Sequence, residues 1–305
     1  MTTWTWPRVL WVVGALLLAT MVFHVVALAV TGGPVTGPVS LRKPATFAET
    51  GWLTAWSVAL VLPRLRTRAW QRHVIGGTTV LFGVGETTIM AIQAWRGVPS
   101  HYNFSTPFDA ALVRGGAAGT AGLFLIGVVV LLVTVVRTPD LQPSVRLGML
   151  AGVVVFFVGC AVGFVMVSNN SGVFQGSVGA GFGNRTAAYL GPDRATVGPE
   201  YLLLRPATRG GDLVLPHAIG VHGLVLLAVP AVLLTGTALS RARQLRLVAV
   251  AAGSVGLAMT LLLVNAFRSL PLDRLDPVSL AALAVCGAAV VVVYARLVAA
   301  WLSRR

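Results

Sequence analysis

Long apolar runs constrain this chain more than any other feature of its sequence. A helix needs about 20 apolar residues to cross a bilayer, because each residue adds about 1.5 Å. Eight such runs follow one another, at residues 8–31, 46–63, 73–95, 110–136, 147–168, 213–239, 247–267 and 277–302. Only 10% of the residues are charged, against roughly a quarter in soluble domains. The sequence therefore predicts an all-α membrane protein, a single domain over residues 1–305 built as a bundle of about eight transmembrane helices.

The basic residues are placed as topology signals. The net charge is +14, but the arginines stand between apolar runs and form no basic face, so nucleic acid is not an expected partner. One predicted side collects thirteen basic residues and one acid, Asp140, whereas the other collects ten basic residues and eight acids. The positive-inside rule then places both termini in the cytoplasm, in a multi-pass protein of the cell's inner (plasma) membrane. The bilayer is the expected partner, and the oligomeric state stays open.

The predicted outer side carries the unusual connections. The longest is Asn169–Asp212, between the fifth and sixth helices, and it is too long for a simple turn. A connection of this length is typical of a lid or a binding element. The inner connections are short and basic, so we expect function to lie in the outer half.

Three acidic residues are candidates for catalysis. Glu86 lies inside the third apolar run, where an unpaired carboxylate is costly and is expected to keep its proton. Its structural alternative is a hydrogen bond to Thr or Gln on another helix, or an ion pair with Arg114. Asp212 and Glu49 are the other two candidates, although helix capping explains Asp212 and the helix dipole explains Glu49 equally well.

Polar and aromatic residues of the outer half form the candidate substrate-binding set. They are Gln93, Trp95, His101, Tyr102, Asn103, Phe104, Trp52, Trp56, His24, His217 and His222. Gln93 follows Glu86 by seven residues and shares its helical face. Aromatic rings in such a set can stabilise a cation, and they also suit an interfacial belt. The spacing of His, Cys and acidic residues matches no metal motif, so no metal site is predicted.

Four motifs in the chain resemble those of a family of bacterial multi-pass membrane proteins, most of which have no assigned function. They are Arg42-Lys43-Pro44-Ala-Thr-Phe47, Gln93-Ala-Trp95-Arg96-Gly-Val-Pro99-Ser-His101-Tyr-Asn103, Thr106-Pro-Phe-Asp109-Ala and Gly211-Asp212-Leu-Val-Leu-Pro-His217-Ala-Ile-Gly-Val-His222. The resemblance covers about residues 40–225, and the last two apolar runs match only as helices. Glu86 fits the family's pattern, whereas Glu49 does not.

In function the chain is similar to the small integral-membrane terpene cyclases of meroterpenoid pathways. Those are multi-helix proteins of comparable size that use acidic residues to protonate an alkene or an epoxide of an attached prenyl chain. The resemblance implies isomerase- or lyase-type carbocation chemistry on a prenylated lipophilic small molecule, without a metal or other cofactor. Glu86 would donate the proton, assisted by Asp212 or Glu49. His101, His217 or His222 would orient the acid or accept the final proton.

Two other functions remain open from the sequence. A proton-coupled transporter or permease would use Glu86 as its protonation site, but the sequence shows neither an internal repeat nor a pair of broken helices. A b-type haem membrane protein would need two axial histidines from different helices, and His24 with His222 is the candidate pair.

Overall fold

The computed structural model describes residues 5–33, 35, 39–101, 103–168, 189–191 and 210–303. The α-helices are α1 (Trp6–Thr31), α2 (Arg42–Val61), α3 (Ala69–Trp95), α4 (Pro107–Ala111), α5 (Ala118–Val136), α6 (Pro143–Ser168), α7 (Val214–Val221), α8 (Val229–Leu234), α9 (Arg241–Phe267) and α10 (Pro277–Leu302). Two π-helical segments, Leu112–Ala117 and Leu224–Ala228, precede α5 and α8, and 3₁₀ turns lie at Leu62–Arg64 and Leu272–Arg274. A short antiparallel pair joins β1 (Tyr189–Leu190) to β2 (Gly211–Asp212), with Tyr189 opposite Asp212.

Six helical segments are long and apolar enough to cross a membrane: α1, α3, Pro107–Val136 with its π-helical turn, α6, α9 and α10. The pair formed by α7 and Leu224–Leu234 passes the same test together, but it is bent by 53° and counts as one span or none. The expected class, an all-α membrane protein, is therefore confirmed with six or seven such helices. Helix α2 occupies the second predicted run but is less apolar than the six helices above, because Glu49 and several Thr, Ser and Trp residues lie within it. The total of eight spans stays a prediction, and most of the long outer connection lies outside the described residues.

Local chemistry sets several helix ends. The Ser240 hydroxyl accepts from Arg243 N at the start of α9, and the Asp276 carboxylate accepts from Val278 N and Ser279 N at the start of α10. Both side chains satisfy amide groups that have no partner within the first turn. Helix α1 ends at Gly32, whose φ of 63° lies in the left-handed region that glycine adopts at low cost.

Consecutive helices pack side by side and run in alternating directions. Helix α1 packs on α2, α2 on α3, α3 on α5, α6 on the bent pair, and α9 on α6 and α10. One end of the bundle, here named the arginine end, holds the connections at 62–68, 137–142 and 235–240. The opposite end, here named the loop end, holds the described residues at 39–41, 96–101, 103–106, 210–213 and 268–276. The candidate site residues lie mainly towards the loop end.

The contact between α6 and the bent pair depends on glycine. A Cβ added at Gly159 would lie 2.6 Å from the Gly220 Cα atom, and one added at Gly223 would lie 2.4 Å from the Gly152 carbonyl oxygen. Such distances leave no room for a side chain, so the two backbones touch directly. Small residues of this kind let helices approach closely inside a membrane.

We predict that Gly159→Ala destabilises the protein by about 1–3 kcal/mol, the usual cost of forcing atoms into a packed interior. Gly253→Ala is the matched control, because a Cβ at Gly253 in α9 meets no atom within 4 Å. Alanine there should be neutral or stabilising by about 0.5–1 kcal/mol, because it favours the helix. Unfolding of both purified variants in mixed micelles with increasing SDS measures the difference. Equal stability of the two variants would contradict the close contact.

Candidate functional site

Glu86 is a buried acid in the middle of α3. Its residue is 4% exposed, and Oε1 lies 2.5 Å from the Thr120 hydroxyl oxygen on α5. Among the described residues, no cation forms an ion pair with Glu86. The guanidinium group of Arg114 lies over the Phe104 ring, 5.1 Å from its centroid. Of the two structural alternatives considered from the sequence, the arrangement thus contains the threonine hydrogen bond and not the ion pair with Arg114.

Gln93 takes part in a second buried polar cluster, one that fixes the start of the connection after α3. Its Nε2 donates to Asp109 Oδ1 at 2.9 Å, and Arg96 Nη1 donates to the same oxygen at 2.7 Å. The Thr106 hydroxyl donates to Asp109 Oδ2 at 2.6 Å and accepts from Asp109 N. Thr106 is therefore the N-cap of α4, and Asp109 is its reciprocal partner three residues later. The sequence motif Thr106-Pro-Phe-Asp109 thus builds an anchor for the connection.

Two motif segments meet at the loop end around Ser100, which is 2% exposed. Lys43 Nζ, from the first turn of α2, donates to Ser100 Oγ at 3.3 Å, and Ser100 Oγ lies 3.1 Å from His101 Nδ1. The His101 ring also packs on Phe47, with centroids 5.7 Å apart. Burial lowers the pKa of His101 to about 3, with smaller effects from Lys43 and His217. His101 is thus neutral across the physiological range.

The other three candidate histidines use Nδ1 to reach backbone carbonyl groups. His24 Nδ1 donates to Thr20 O at 2.9 Å, and His24 Nε2 accepts from Trp95 Nε1 at 3.2 Å. Both nitrogens of His24 therefore have protein partners, which leaves no lone pair for a haem iron. His217 Nδ1 donates to Gly159 O on α6, and His222 Nδ1 donates to Ala218 O. Within the described ranges, no group of three or more His, Cys, Asp or Glu residues could hold a metal ion.

The remaining candidates are spread over several helices. Asp212 Oδ1 accepts from Val214 N at 2.7 Å, so the carboxylate caps the start of α7. Burial raises the pKa of Asp212, and the backbone amides of Val214 and Leu215 oppose that shift. Glu49 is half-buried on α2 and has no hydrogen bond or ion pair within the part of the chain that the structure describes.

The aromatic and amide candidates differ in whether their N–H groups have a hydrogen-bond partner. Trp56 Nε1 donates to Trp11 O at 3.1 Å, and the Trp52 ring packs edge-on against Trp56. Two buried donors, Trp52 Nε1 and Asn103 Nδ2, have no hydrogen-bond partner among the described residues. Phe104 lies beneath Arg114, and Tyr102 lies outside the described residues.

A groove of about 310 Å³ opens between α1 and α3. It is lined by Val13, Leu16, Leu17, Thr20, Val84, Thr87, Thr88, Ala91 and Ile92. Glu86 follows Val84 by two residues, or about 200° around the helix, so the acid lies on the opposite face of α3. The groove thus contains none of the proposed site residues, and no hydrogen bond or ion pair in the described part of the chain joins Glu86 to Asp212 or Glu49. The structure brings together Lys43, Ser100 and His101, and separately pairs Glu86 with Thr120.

Sequence reasoning did not single out Lys43, Ser100 or Thr120. Two of them stand inside motifs, and Lys43 carries a signal of its own. A cation in the first turn of a helix opposes the helix dipole, which favours anions there. Thr120 has no such signal, because only the packing of α5 on α3 makes it the partner of Glu86.

We found no family model, no curated protein and no solved structure that matches this chain.

We predict that Asp109→Ala destabilises the protein by about 1–3 kcal/mol, because Gln93 and Thr106 then lose a buried acceptor. Asp140→Ala is the control. Its partner Arg66 and Asp140 itself are 69% and 62% exposed, so losing that pair should cost within about 1 kcal/mol. SDS titration in mixed micelles measures both. An Asp109→Ala variant as stable as Asp140→Ala would show that the cluster does not anchor the connection.

Proposed function

We propose that the protein is an integral-membrane enzyme that cyclises a prenylated lipophilic substrate, with Glu86 as the proton donor. The observation that supports this most is the setting of the carboxyl group. It is 4% exposed inside a helix bundle, it contacts one hydroxyl group, and no described cation pairs with it. Alkene protonation needs an acid that still carries its proton at neutral pH and does not share that proton with water. Burial of the carboxyl group serves both conditions.

The Thr120 hydroxyl group has three acceptor oxygens within hydrogen-bond distance, and Glu86 Oε1 is one of them. The Thr120 oxygen lies 2.5 Å from Glu86 Oε1, 2.9 Å from Gly116 O and 3.1 Å from Ala117 O. A hydroxyl group has one hydrogen to donate, and threonine in a helix often gives it to a carbonyl oxygen of the preceding turn. The Thr120 hydroxyl group therefore donates either to Glu86 or to a carbonyl oxygen, and in the second case the hydrogen of the contact must come from a protonated Glu86 carboxyl group.

Aromatic rings lie one helical turn from this pair. Phe82 precedes Glu86 by four residues on α3, and Phe124 follows Thr120 by four residues on α5. The two rings stack with centroids 4.4 Å apart, and Phe156 packs edge-on against Phe124 at 5.4 Å. Ring faces attract cations, and they do so more strongly away from water. These rings support the proposal because they could stabilise a carbocation formed beside Glu86.

The proposed chemistry conserves protons. The Glu86 carboxyl group gives its proton to an alkene carbon or to an epoxide oxygen, and a carbocation forms on the prenyl chain. Attack by the next alkene closes the ring and moves the cation along the chain. Loss of a proton from the final cation gives the product, and the Glu86 carboxylate recovers a proton. The roles of Asp212 and Glu49 are secondary in this proposal, since Asp212 already caps α7.

We expect Glu86→Gln to reduce product formation by at least about 10²–10⁴-fold, the usual worth of general acid catalysis. Glutamine keeps the shape and the contact with Thr120 but cannot deliver a proton. Membranes containing each variant would be incubated with a farnesylated phenol and with its terminal epoxide, in H₂O and in D₂O, and products analysed by mass spectrometry. A deuterium in the product marks protonation of the alkene.

The control is Asp140→Asn, which removes an exposed acid at the arginine end and should leave product formation unchanged. Full activity of Glu86→Gln would exclude Glu86 as the donor and leave Asp212 or Glu49. Full activity of Glu86→Gln, Asp212→Asn and Glu49→Gln would exclude initiation by a carboxylic acid.

A proton-coupled transporter is the second candidate, and one observation favours it. The sequence shows no broken helix pair, but α7 and Leu224–Leu234 form a pair bent by 53° at His222 and Gly223. Interrupted helices of this kind build substrate sites in transporters. Proton uptake by proteoliposomes that depends on Glu86, without product from either prenylated substrate, would select this function over cyclisation.

We further propose that α2 and the bent pair also cross the bilayer, which gives eight spans with both termini in the cytoplasm. The protein would then lie in the inner (plasma) membrane, with the arginine end facing the cytoplasm. Alkaline phosphatase, which is active only in the periplasm, should give no signal when fused after Ser303. The same reporter fused after Asn103, at the loop end, should give a strong signal. The reverse result would overturn this orientation.

A further inference from the structure

The cluster formed by Lys43, Ser100 and His101 contains N–H donors that have no acceptor among the described residues. An ammonium group has three N–H donors, and the structure gives that of Lys43 one acceptor, Ser100 Oγ at 3.3 Å. No described carboxylate forms an ion pair with Lys43. A cation in a partly buried setting is costly unless an anion compensates it. Within the described residues, Lys43 therefore has two N–H donors without an acceptor and no counter-charge.

A second cation adjoins the first. Arg42 Nε donates to Val35 O at 2.9 Å, and no described partner takes the hydrogens of its two terminal nitrogens. Both cations stand in the first turn of α2, a helix of 20 residues with no acidic residue in that turn. The dipole of a helix makes this turn partly positive, so two cations there destabilise the helix. The same arrangement provides two positive charges to an anion.

The other neighbouring groups add hydrogen-bond donors without adding charge, which suits an oxyanion. His101 packs on Phe47 beside Ser100, and burial lowers its pKa to about 3, so it adds a neutral polar group at ordinary pH. The same connection holds Asn103, whose buried Nδ2 is a further donor without a described partner. A phosphate group offers several acceptor oxygens and up to two negative charges, which matches two cations and spare donors.

We propose that Lys43 and Arg42, with Ser100, form a binding site for a phosphate group at the loop end. Lys43 supplies the point charge and two N–H donors, Arg42 supplies its terminal N–H groups, and Ser100 holds the Lys43 ammonium group in place. The phosphate belongs either to a free phosphorylated solute or to the headgroup of an anionic lipid. The site does not depend on cyclisation, and no contact in the described part of the chain joins it to Glu86.

Two measurements on the purified full-length protein test the site. Thermal unfolding in neutral detergent, followed by tryptophan fluorescence, is recorded with sodium diphosphate and with sodium chloride at equal ionic strength. A bound anion stabilises the folded protein in proportion to ln(1 + [L]/Kd), so the midpoint should rise with diphosphate beyond the chloride control. In nanodiscs, phosphatidic acid should raise the midpoint above phosphatidylcholine if the source is a lipid. A shift with diphosphate alone identifies a free solute, and a shift with phosphatidic acid alone identifies a headgroup.

Variants separate this site from general charge effects. Lys43→Met should lose the shift, and Arg42→Met should reduce it, whereas Arg268→Met, which removes an exposed cation at the same end, should keep it. Without any anion, Lys43→Met should unfold at a higher temperature than the original protein, because an uncompensated charge has been removed. No shift with either anion, or an undiminished shift in both Lys43→Met and Arg42→Met, would overturn the proposal.

Discussion

A row of buried polar contacts along one face of α3 holds the first half of the structure in register. Gln71 Nε2 donates to Thr134 Oγ1 at 3.1 Å, Thr120 contacts Glu86 at 2.5 Å, and Gln93 donates to Asp109 at 2.9 Å. All three contacts join α3 to the segment Pro107–Val136. A polar side chain in an apolar bundle is costly without a partner, so sliding α3 by one turn would break all three contacts together. The face from Gln71 to Gln93 extends about 33 Å, close to the thickness of a bilayer.

The two proposed sites both depend on that register. Glu86 occupies the middle of the polar face, which fixes its depth in the bundle and its distance from the ring pair of Phe82 and Phe124. At the end of the same face, Gln93 and Arg96 hold Asp109 and thereby anchor the connection after α3. That connection carries Ser100 to Lys43 on α2. The opposite face of α3 lines an apolar groove with α1. The buried polar contacts and the groove therefore lie on opposite faces of one helix.

The sequence predicts most of this fold because apolar runs are long and their ends carry Pro, Ser or Asp. The sequence does not predict the bend of 53° between α7 and Leu224–Leu234. The bend lies where this pair packs against α6, and that packing is not visible in the sequence. Gly220 and Gly223 touch the backbone of α6 at Gly159 and Gly152, and a run of small residues gives no sign of which helix will meet it. Length places α2 among the predicted spans, although Glu49 and its Thr, Ser and Trp residues make it less apolar than the other helices of similar length.

For the candidate site, the sequence predicts which helix face each side chain shares and its depth in the membrane. It does not predict which residue of another helix each side chain contacts. The shared face of Glu86 and Gln93 follows from their spacing of seven residues, and the structure turns both towards Pro107–Val136. Their partners Thr120 and Asp109 could not be assigned, because the pairing depends on how α4 and α5 pack. Lys43 differs, since its first-turn position contradicts local helix preference before any packing is known. Natural sequences tend to break such local rules where function requires it. The position of Lys43 in a first helical turn, where anions are favoured, therefore indicates a functional site more specifically than the motif that contains it.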